Sequence, residues 1–330
     1  MRLDFKVTSD AAGQRLDKFL RKRMENMPLS HLYKLVRTKK VRVNGSRAEI
    51  GQLLQEGDLV SIRGPEAALL GPKAGEPRPP REKPAADVGQ DFAILYEDDA
   101  ILVCDKPAGL AIHPGSGITG ETLVDQARAY FARQGLAVAE GEFKPSPAHR
   151  LDRETSGAVV VAKTRQAMVK LTEIFTAGGA DKTYLALAKG RFQNARGTVA
   201  LRLSEHQQTA NSKSQRGVNM QDAVTHWFRL AGGTEATLLE LKIETGRTHQ
   251  IRRHLAAIGH PVAGDGKHGD FPFNREARAQ FGLRRMFLHA ARLALAHPIS
   301  GERLVFTAAL PLDLVEVLRR ARIDWKEAPR

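Results

Sequence analysis

The sequence predicts an α+β protein whose main domain is built on a mixed, largely antiparallel sheet. Beyond residue 90, apolar runs of strand length follow one another without the regular strand–helix alternation of a parallel sheet. Residues 224–230 and 237–245 alternate apolar and polar side chains, as antiparallel strands with one solvated face do. We therefore divide the chain into a small basic α/β module (1–63), a Pro-rich linker (64–90) and the main domain (91–330).

Composition restricts the function classes. The chain of 330 residues has 51 basic and 37 acidic residues and a formal net charge of +14, which favours a polyanionic partner, nucleic acid first. Cys104 is the only cysteine, which excludes an intramolecular disulfide and a cysteine-based zinc site. No apolar run is long enough to span a bilayer, and the first residues do not begin a signal peptide. We expect a cytoplasmic monomer that does not bind membranes.

The N-terminal module has apolar residues at helical spacing, which predict two short helices, and then Asn44-Gly45, a strong hairpin signal. Basic side chains cluster in this module: Arg21, Arg23, Lys34, Arg37, Lys39, Lys40 and Arg42. Most charge runs are solvated surface, but here few acidic residues neutralise the cations. The helix–helix–hairpin order with this charge resembles an S4 RNA-binding domain, and the resemblance implies that these residues bind RNA.

The densest group of charges is the segment 149–157, which runs from His149 through Arg150 and Asp152 to a Thr-Ser-Gly turn. The buried strand predicted for residues 158–162 follows at once. Charges near a core cost free energy unless they are paired, so this is either a salt-bridged turn or a functional site. A distant segment favours the second interpretation. There, Arg247 lies in a Gly turn at the start of a predicted helix, where a carboxylate could meet it.

Several ordered blocks between about residue 90 and residue 322 resemble the RluA family of RNA pseudouridine synthases. They are residues 149–157, 182–190, 246–252, 287–290 and 297–298. The resemblance implies the pseudouridine synthase fold, with a catalytic cleft across the middle of the sheet. Two residues depart from the family pattern: Glu154 stands where an aspartate is commoner, and His268 stands where a tyrosine is expected.

The resemblance also implies the chemistry and the substrate, specific uridines of large-subunit (23S) ribosomal RNA. Pseudouridine formation breaks the C1′–N1 bond of a uridine and rejoins the base through C5, so it needs no redox cofactor, group donor or metal. The catalytic carboxylate is assigned to Asp152. Its predicted partner is Arg247, whose bidentate guanidinium would keep the carboxylate ionised and oriented. Whether Asp152 attacks C1′ or removes a sugar proton stays open.

Three further residues receive roles from the resemblance. Tyr184 is expected to stack on the target base and to take the C5 proton. Arg150 is expected to enter the RNA stack as the uridine flips out, which offsets part of the cost of extrusion. Lys182 is expected to contact a phosphate.

Other functions are compatible with parts of the sequence. A catalytically silent ribosome-assembly factor could use the same basic surface, although it would not need Asp152, Tyr184 and Arg247 together. A hydrolase could be built from Ser156, His149 and Asp152, but no nucleophile elbow surrounds the serine. A nucleotide-dependent oxidoreductase is suggested by the glycine pattern of residues 115–120. However, Pro114 interrupts the approach and no acidic residue closes a second parallel strand.

Overall fold

The computed structural model describes the chain in ranges with gaps between them: residues 2–8, 12–24, 27, 29–64, 89–115, 120–136, 143–204 and 220–325. The chain forms two compact units, Met1–Glu82 and Lys83–Arg330. The predicted linker of residues 64–90 contains that boundary, but residues 65–88 lie outside the described ones. Within the described ranges, no helix combines the length and the apolar character needed to cross a bilayer.

The first unit is a small antiparallel sheet with two helices. Its elements are β1 (Arg2–Lys6), α1 (Leu16–Arg23), α2 (Leu29–Arg37), β2 (Val41–Val43), β3 (Ser46–Arg47) and β4 (Leu59–Arg63). The strand order is β1-β4-β2-β3. Leu16 and Leu20 of α1 and Leu32 of α2 are buried in its core. The predicted hairpin turn is confirmed: Asn44 (φ 52°) and Gly45 (φ 77°) both adopt the left-handed conformation that a tight hairpin requires.

The second unit is built on one long sheet with the order β10-β11-β12-β9-β13-β8-β6-β5, to which β14 and β7 add at β13 and β8. Its strands are β5 (Ala93–Glu97), β6 (Ile101–Lys106), β7 (Ser146–Pro147), β8 (Ser156–Ala162), β9 (Asp181–Lys189), β10 (Arg196–Ser204), β11 (Met220–Gly232), β12 (Ala236–Ile243), β13 (Leu288–Ala296) and β14 (Arg303–Thr307). All pairings along this order are antiparallel except that of β13 with β8. The prediction of a mixed, largely antiparallel sheet is therefore confirmed.

Helices cover both faces of this sheet: α3 (Leu123–Arg133), α4 (Arg165–Thr176), α5 (Gln250–Ala257), α6 (Phe271–Phe281) and α7 (Leu312–Arg320). Every residue of β8 is buried. Val159 and Val161 share a core with Leu255 of α5, whereas Val160 on the opposite face shares a core with Leu171 of α4. A strand covered on both faces is apolar along its whole length, which explains the continuous apolar run that followed the charged segment.

The single parallel pairing lies in the middle of the sheet. His289 is opposite Ser156, and Ala290 is opposite Gly157. Gly157 has φ 120°, and a Cβ atom at this position would lie 2.3 Å from the carbonyl oxygen of Ala290, so only glycine permits this approach. The pairing fixes the position of the start of β8. It therefore also positions the charged segment of residues 149–157, which leads into this strand. The two halves of the sheet therefore meet beside Asp152.

Candidate active site

A pocket on the face of the sheet that carries α5 brings together three distant parts of the chain. Arg150 and Asp152 line it from the charged segment, Tyr184 from β9, and Arg247 and Arg252 from the region of α5. The structure therefore gathers the three predicted catalytic residues and the predicted base-flipping arginine around one cavity. Lys182, half-buried two residues before Tyr184, is not among the described residues that line it.

A buried lysine helps to hold the backbone around Asp152. Lys106, at the end of β6, is fully buried, and its ammonium donates to the carbonyl oxygens of Arg153 (3.1 Å), Pro107 (2.8 Å) and Leu110 (2.8 Å). The Arg153 carbonyl also accepts the Gly109 N–H at 2.8 Å. Burial lowers the pKa of Lys106 to about 8, so the ammonium is still the main form at neutral pH. The backbone carbonyl of Arg153, the residue after Asp152, thus accepts two hydrogen bonds, one from Lys106 and one from Gly109.

The ion pair of Asp152 is formed by Arg252 and not by Arg247, so this part of the sequence prediction is wrong. Nη1 of Arg252 donates to Oδ2 of Asp152 at 2.8 Å. Arg247 is exposed in the turn before α5, and its Nε donates to the backbone carbonyl of Asp222 at 3.3 Å. The physical reason is that α5 begins between the two arginines. Arg252 lies in the first turn of α5 beside the buried Ile251, and it faces the sheet, whereas Arg247 precedes the helix.

A second carboxylate orients the Arg252 guanidinium. Nε and Nη2 of Arg252 donate to the two oxygens of Asp265 at 2.7 and 2.8 Å, so the bidentate bond predicted for the catalytic carboxylate is made to Asp265 instead. The Asp265 side chain is fully buried and also accepts the backbone N–H groups of Lys267 and His268. Burial alone would raise the pKa of Asp265, but these donors hold it below its usual value. The guanidinium is thus locked with its third nitrogen toward Asp152.

The two oxygens of Asp152 have different surroundings. Oδ2 is bound by Arg252, whereas Oδ1 lies 3.9 Å from Nε2 of His249 and accepts no hydrogen bond from a described residue. The side chain keeps 19% of its exposure, on the pocket side. Burial acts against the charged form of Arg252, but Asp265 and Asp152 together raise the pKa of the guanidinium. The site therefore offers a carboxylate bound by a guanidinium, with one oxygen open to a ligand.

Tyr184, near the centre of β9, is one of the residues that line the pocket. It is only 7% exposed and shares a core with Ile251 and Leu288. Burial and the negative charge of Asp152 raise the pKa of its phenol, so the hydroxyl is protonated at neutral pH. The ring can stack on a flat ligand. Proton acceptance by the oxygen would require the hydroxyl to lose its own proton first.

The other predicted RNA-binding residues are exposed, except the half-buried Lys182. Arg150 is exposed at the pocket. Burial lowers the pKa of Lys182. The basic residues predicted to bind RNA from the first unit are all exposed there: Arg21, Arg23, Lys34, Arg37, Lys39, Lys40 and Arg42.

The alternative hydrolase triad is not assembled. Ser156 is buried, and its hydroxyl lies 2.9 Å from Nδ1 of His289. Nε2 of His149 accepts the Val160 N–H at 3.1 Å, and burial lowers the pKa of this imidazole to about 3. Both side chains stabilise β8 and its neighbours. Of the glycine pattern that suggested an oxidoreductase, residues 116–119 lie outside the described ones.

Sequence reasoning missed Arg252 and Asp265, although each left a signal. Arg252 follows Ile251 and precedes Leu255 by three residues, so helical periodicity puts a charge against the core-facing stripe, where it needs a partner. Asp265 lies between Gly264 and Gly266, in a tight turn where a carboxylate can accept nearby backbone N–H groups. Within the described ranges, no group of three or more potential metal ligands is placed to hold an ion.

Family models match parts of both units of this chain, and known proteins align over most of its length. A family model described as RNA pseudouridylate synthase matches residues 100–257, and the S4 domain model matches residues 14–60. Ribosomal large subunit pseudouridine synthase C of Vibrio cholerae is 35% identical over 321 residues, which cover 96% of each chain. The protein of the same name from Escherichia coli is 37% identical over 322 residues, covering 96% of this chain and 95% of that one.

Two solved structures resemble most of this chain. Human RNA Pseudouridylate Synthase Domain Containing 4 is 27% identical, with a TM-score of 0.57, over 71% of this chain and 95% of that one. Human RNA Pseudouridylate Synthase Domain Containing 1 is also 27% identical, with a TM-score of 0.51, over 70% and 96% of the two chains. The match of one chain to both an S4 domain and an RNA pseudouridylate synthase model defines the class, an RNA-modifying enzyme. The chain belongs to the RNA pseudouridylate synthase family.

Proposed function

We propose that this protein, acting as a cytoplasmic monomer, isomerises specific uridines to pseudouridine in large-subunit (23S) ribosomal RNA. The observation that carries the proposal is the Asp152 carboxylate, held by Arg252 inside a pocket with one oxygen open. The substrate follows from relatives named for the large ribosomal subunit that align over 96% of this chain. The net charge of +14 suits a polyanionic substrate.

In the proposed reaction, Asp152 acts on the ribose of a uridine that has left the RNA stack. Oδ1 either attacks C1′ or removes a sugar proton, and in both cases the C1′–N1 bond breaks. The freed base turns within the pocket and its C5 joins C1′, while the Asp152 oxygen leaves C1′ or Asp152 returns the sugar proton. The C5 proton is then lost to solvent and N1 takes up a proton, so the product is an isomer of the substrate. Arg252 and Asp265 prepare the carboxylate by fixing its orientation and preserving its charge in a partly desolvated site.

The residues around Asp152 bind the flipped nucleotide. The Tyr184 ring is the stacking platform for the uracil, because it is a large flat surface that lines the pocket. Arg150, exposed at the same pocket, fills the place that the base leaves in the stack. Arg247 is also exposed at the pocket and is well situated for a phosphate contact, as is Lys182 on β9. The exposed cations of the first unit supply further RNA contacts.

The test follows the hydrogen that leaves C5. Unmodified 23S ribosomal RNA is transcribed with uridine that carries tritium at C5, and tritium release is measured with the purified protein. We expect stoichiometric release from a few sites, and primer extension after chemical modification of pseudouridine then maps them. The matched control is Asp152→Asn, which keeps the shape of the side chain and removes its charge. Absence of tritium release from any large-subunit RNA, including ribosome-assembly intermediates, would contradict the proposal.

A further inference from the structure

One histidine adjoins the Asp152 carboxylate and a second histidine contacts the first, and neither is used by the mechanism above. His249 is the residue before α5, and its Nε2 lies 3.9 Å from Oδ1 of Asp152. Its other ring nitrogen, Nδ1, lies 2.9 Å from Nε2 of His268. The two rings and the carboxylate thus form a chain of contacts on the side of Asp152 opposite to Arg252.

The backbone at His249 is held in an unusual conformation. With φ 54° and ψ 29°, this residue is left-handed, which costs a residue other than glycine about 1 kcal/mol or more. The side chain does not repay this cost by capping the helix, since it makes no hydrogen bond to the first turn of α5. The conformation directs the ring toward Asp152 and His268. Strain that persists at such a place is commonly part of a functional arrangement.

The contact between the rings restricts where their protons lie. A hydrogen bond between two neutral imidazoles requires one nitrogen to carry a proton and the other to be bare. If Nδ1 of His249 were the donor, its bare Nε2 would face the negative Oδ1 of Asp152 at 3.9 Å, which is unfavourable. If Nε2 of His268 is the donor, His249 carries its own proton on Nε2. That N–H dipole then faces the carboxylate.

Both rings are neutral at physiological pH, so the choice of tautomer matters. Burial lowers the pKa of His249 to about 4; Asp152 opposes this shift, and Arg252, His268 and Lys267 add to it. Burial likewise lowers the pKa of His268, against the charge of Asp265 and with the charges of Arg252, Lys267 and Arg253. The separation of 3.9 Å is too long for a direct hydrogen bond to Asp152 but short enough for a strong dipole–charge attraction.

We propose that His268 is a positioning residue, which donates from Nε2 to Nδ1 of His249 and thereby sets the proton of His249 on the nitrogen facing Asp152. The oriented N–H stabilises the carboxylate at Oδ1, the oxygen that Arg252 does not touch. This role rests on the proposed function of Asp152. It requires a hydrogen-bond donor at position 268 rather than an imidazole as such. A tyrosine hydroxyl would meet the same need, and a phenylalanine of nearly the same size would not.

The experiment reads the tautomer and the rate separately. In protein labelled with ¹⁵N in its histidines, two-dimensional ¹H–¹⁵N spectra report which ring nitrogen of His249 is protonated, and a His249→Gln variant assigns its signals. We expect the proton on Nε2 in the wild type and in His268→Tyr, and loss of that preference in His268→Phe. Saturating single-turnover rates should fall about tenfold in His268→Phe. The loss is modest because the attraction between the His249 N–H and Asp152 acts over a longer distance than a direct charge-assisted hydrogen bond and is therefore weaker. His268→Tyr should stay within about threefold of the wild type.

Each of these measurements can contradict the proposed role of His268. A wild-type His249 with its proton on Nδ1 would overturn the proposal without any variant, so it stays testable even if His268→Phe fails to fold. Equal rates for the tyrosine and phenylalanine variants would also overturn it. RNA affinity should be unchanged in both variants, because neither substitution removes a phosphate contact; a weaker affinity that accounted for the whole effect would make His268 an RNA contact instead. If the wild type had no activity on ribosomal RNA, the proposed function would fail while the tautomer result still stood.

Discussion

The two units of this protein treat charge in opposite ways. On the first unit, the exposed cations of α1, α2 and β2 form no ion pair within the described ranges, nor does the exposed Lys40 between α2 and β2. In the second unit, Arg252 is 8% exposed and contacts two carboxylates, one of them fully buried. An exposed cation has little desolvation cost. It attracts a polyanion over the electrostatic screening length, which depends on the salt concentration. A buried cation is costly unless paired, but pairing fixes its geometry. In the proposed function, the first arrangement supplies RNA affinity and the second prepares the catalytic carboxylate.

The largest effect that separates the units is expected from the carboxylate. Asp152→Asn should reduce the saturating single-turnover rate of isomerisation by at least about a thousandfold, because it removes the nucleophile or base. RNA affinity should stay within a few-fold, since phosphate contacts dominate binding. The control is Glu154→Gln, a partly exposed carboxylate two residues away that pairs with Arg153. Tritium release at the wild-type rate from pure Asp152→Asn protein would remove this residue from the reaction.

The second prediction compares two arginines of one motif. Arg252→Lys should slow the reaction about a hundredfold, because a single ammonium cannot hold Asp152 and Asp265 in the geometry of the fork. It should also lower the melting temperature, because a lysine ammonium would offset only part of the desolvation cost of the buried Asp265 carboxylate. Arg247→Lys should change the rate only a few-fold, because its guanidinium contacts neither carboxylate. Parallel single-turnover assays and thermal unfolding would check both; the reverse order of effects would restore Arg247 as the partner of Asp152.

The exposed cations should show the opposite behaviour. The double variant Arg37→Gln/Lys40→Gln should weaken binding to ribosomal RNA several-fold and flatten the log–log salt dependence by about 1.5, since each phosphate contact contributes 0.7–0.9 to the slope. The saturating single-turnover rate should be unchanged. The control is Lys170→Gln on α4, a cation already paired with Glu173. Equal salt slopes for the double variant and the wild type would show that these two residues do not bind RNA.

The smallest effect concerns stability and comes from buried imidazoles in the second unit. Burial lowers the pKa of His289 to about 4 and that of His149 to about 3. Between pH 6.5 and 4 the unfolded chain binds protons at these sites and the folded chain does not, so the free energy of unfolding must fall as the pH falls. For the fully buried His289 the slope is on the order of 1 kcal/mol per pH unit. Thermal unfolding from pH 7 to pH 4.5 would measure it, and His289→Gln should reduce the slope.

Much of this protein was predictable from local sequence. The apolar run of β8 is buried on both faces, and the charged segment before it does supply Asp152 and Arg150 to the pocket. Asn44-Gly45 forms the hairpin turn that its backbone preferences favour. These features depend on periodicity, on backbone preferences and on the cost of unpaired charge near a core. All three are properties of neighbouring residues, so the sequence alone determines them.

Tertiary structure decided which distant charges meet. Arg247 and Arg252 are five residues apart, and only the start of α5 at Gln250 turns the second arginine toward the sheet and leaves the first outside. The partnership of Arg252 with Asp265, and that of His249 with His268, depend on how the turn after α5 folds back against the helix. The parallel pairing of β13 with β8 joins residues 133 apart in the chain, such as Ser156 and His289. Such contacts are set by packing of whole elements, and no local spacing in the sequence specifies them.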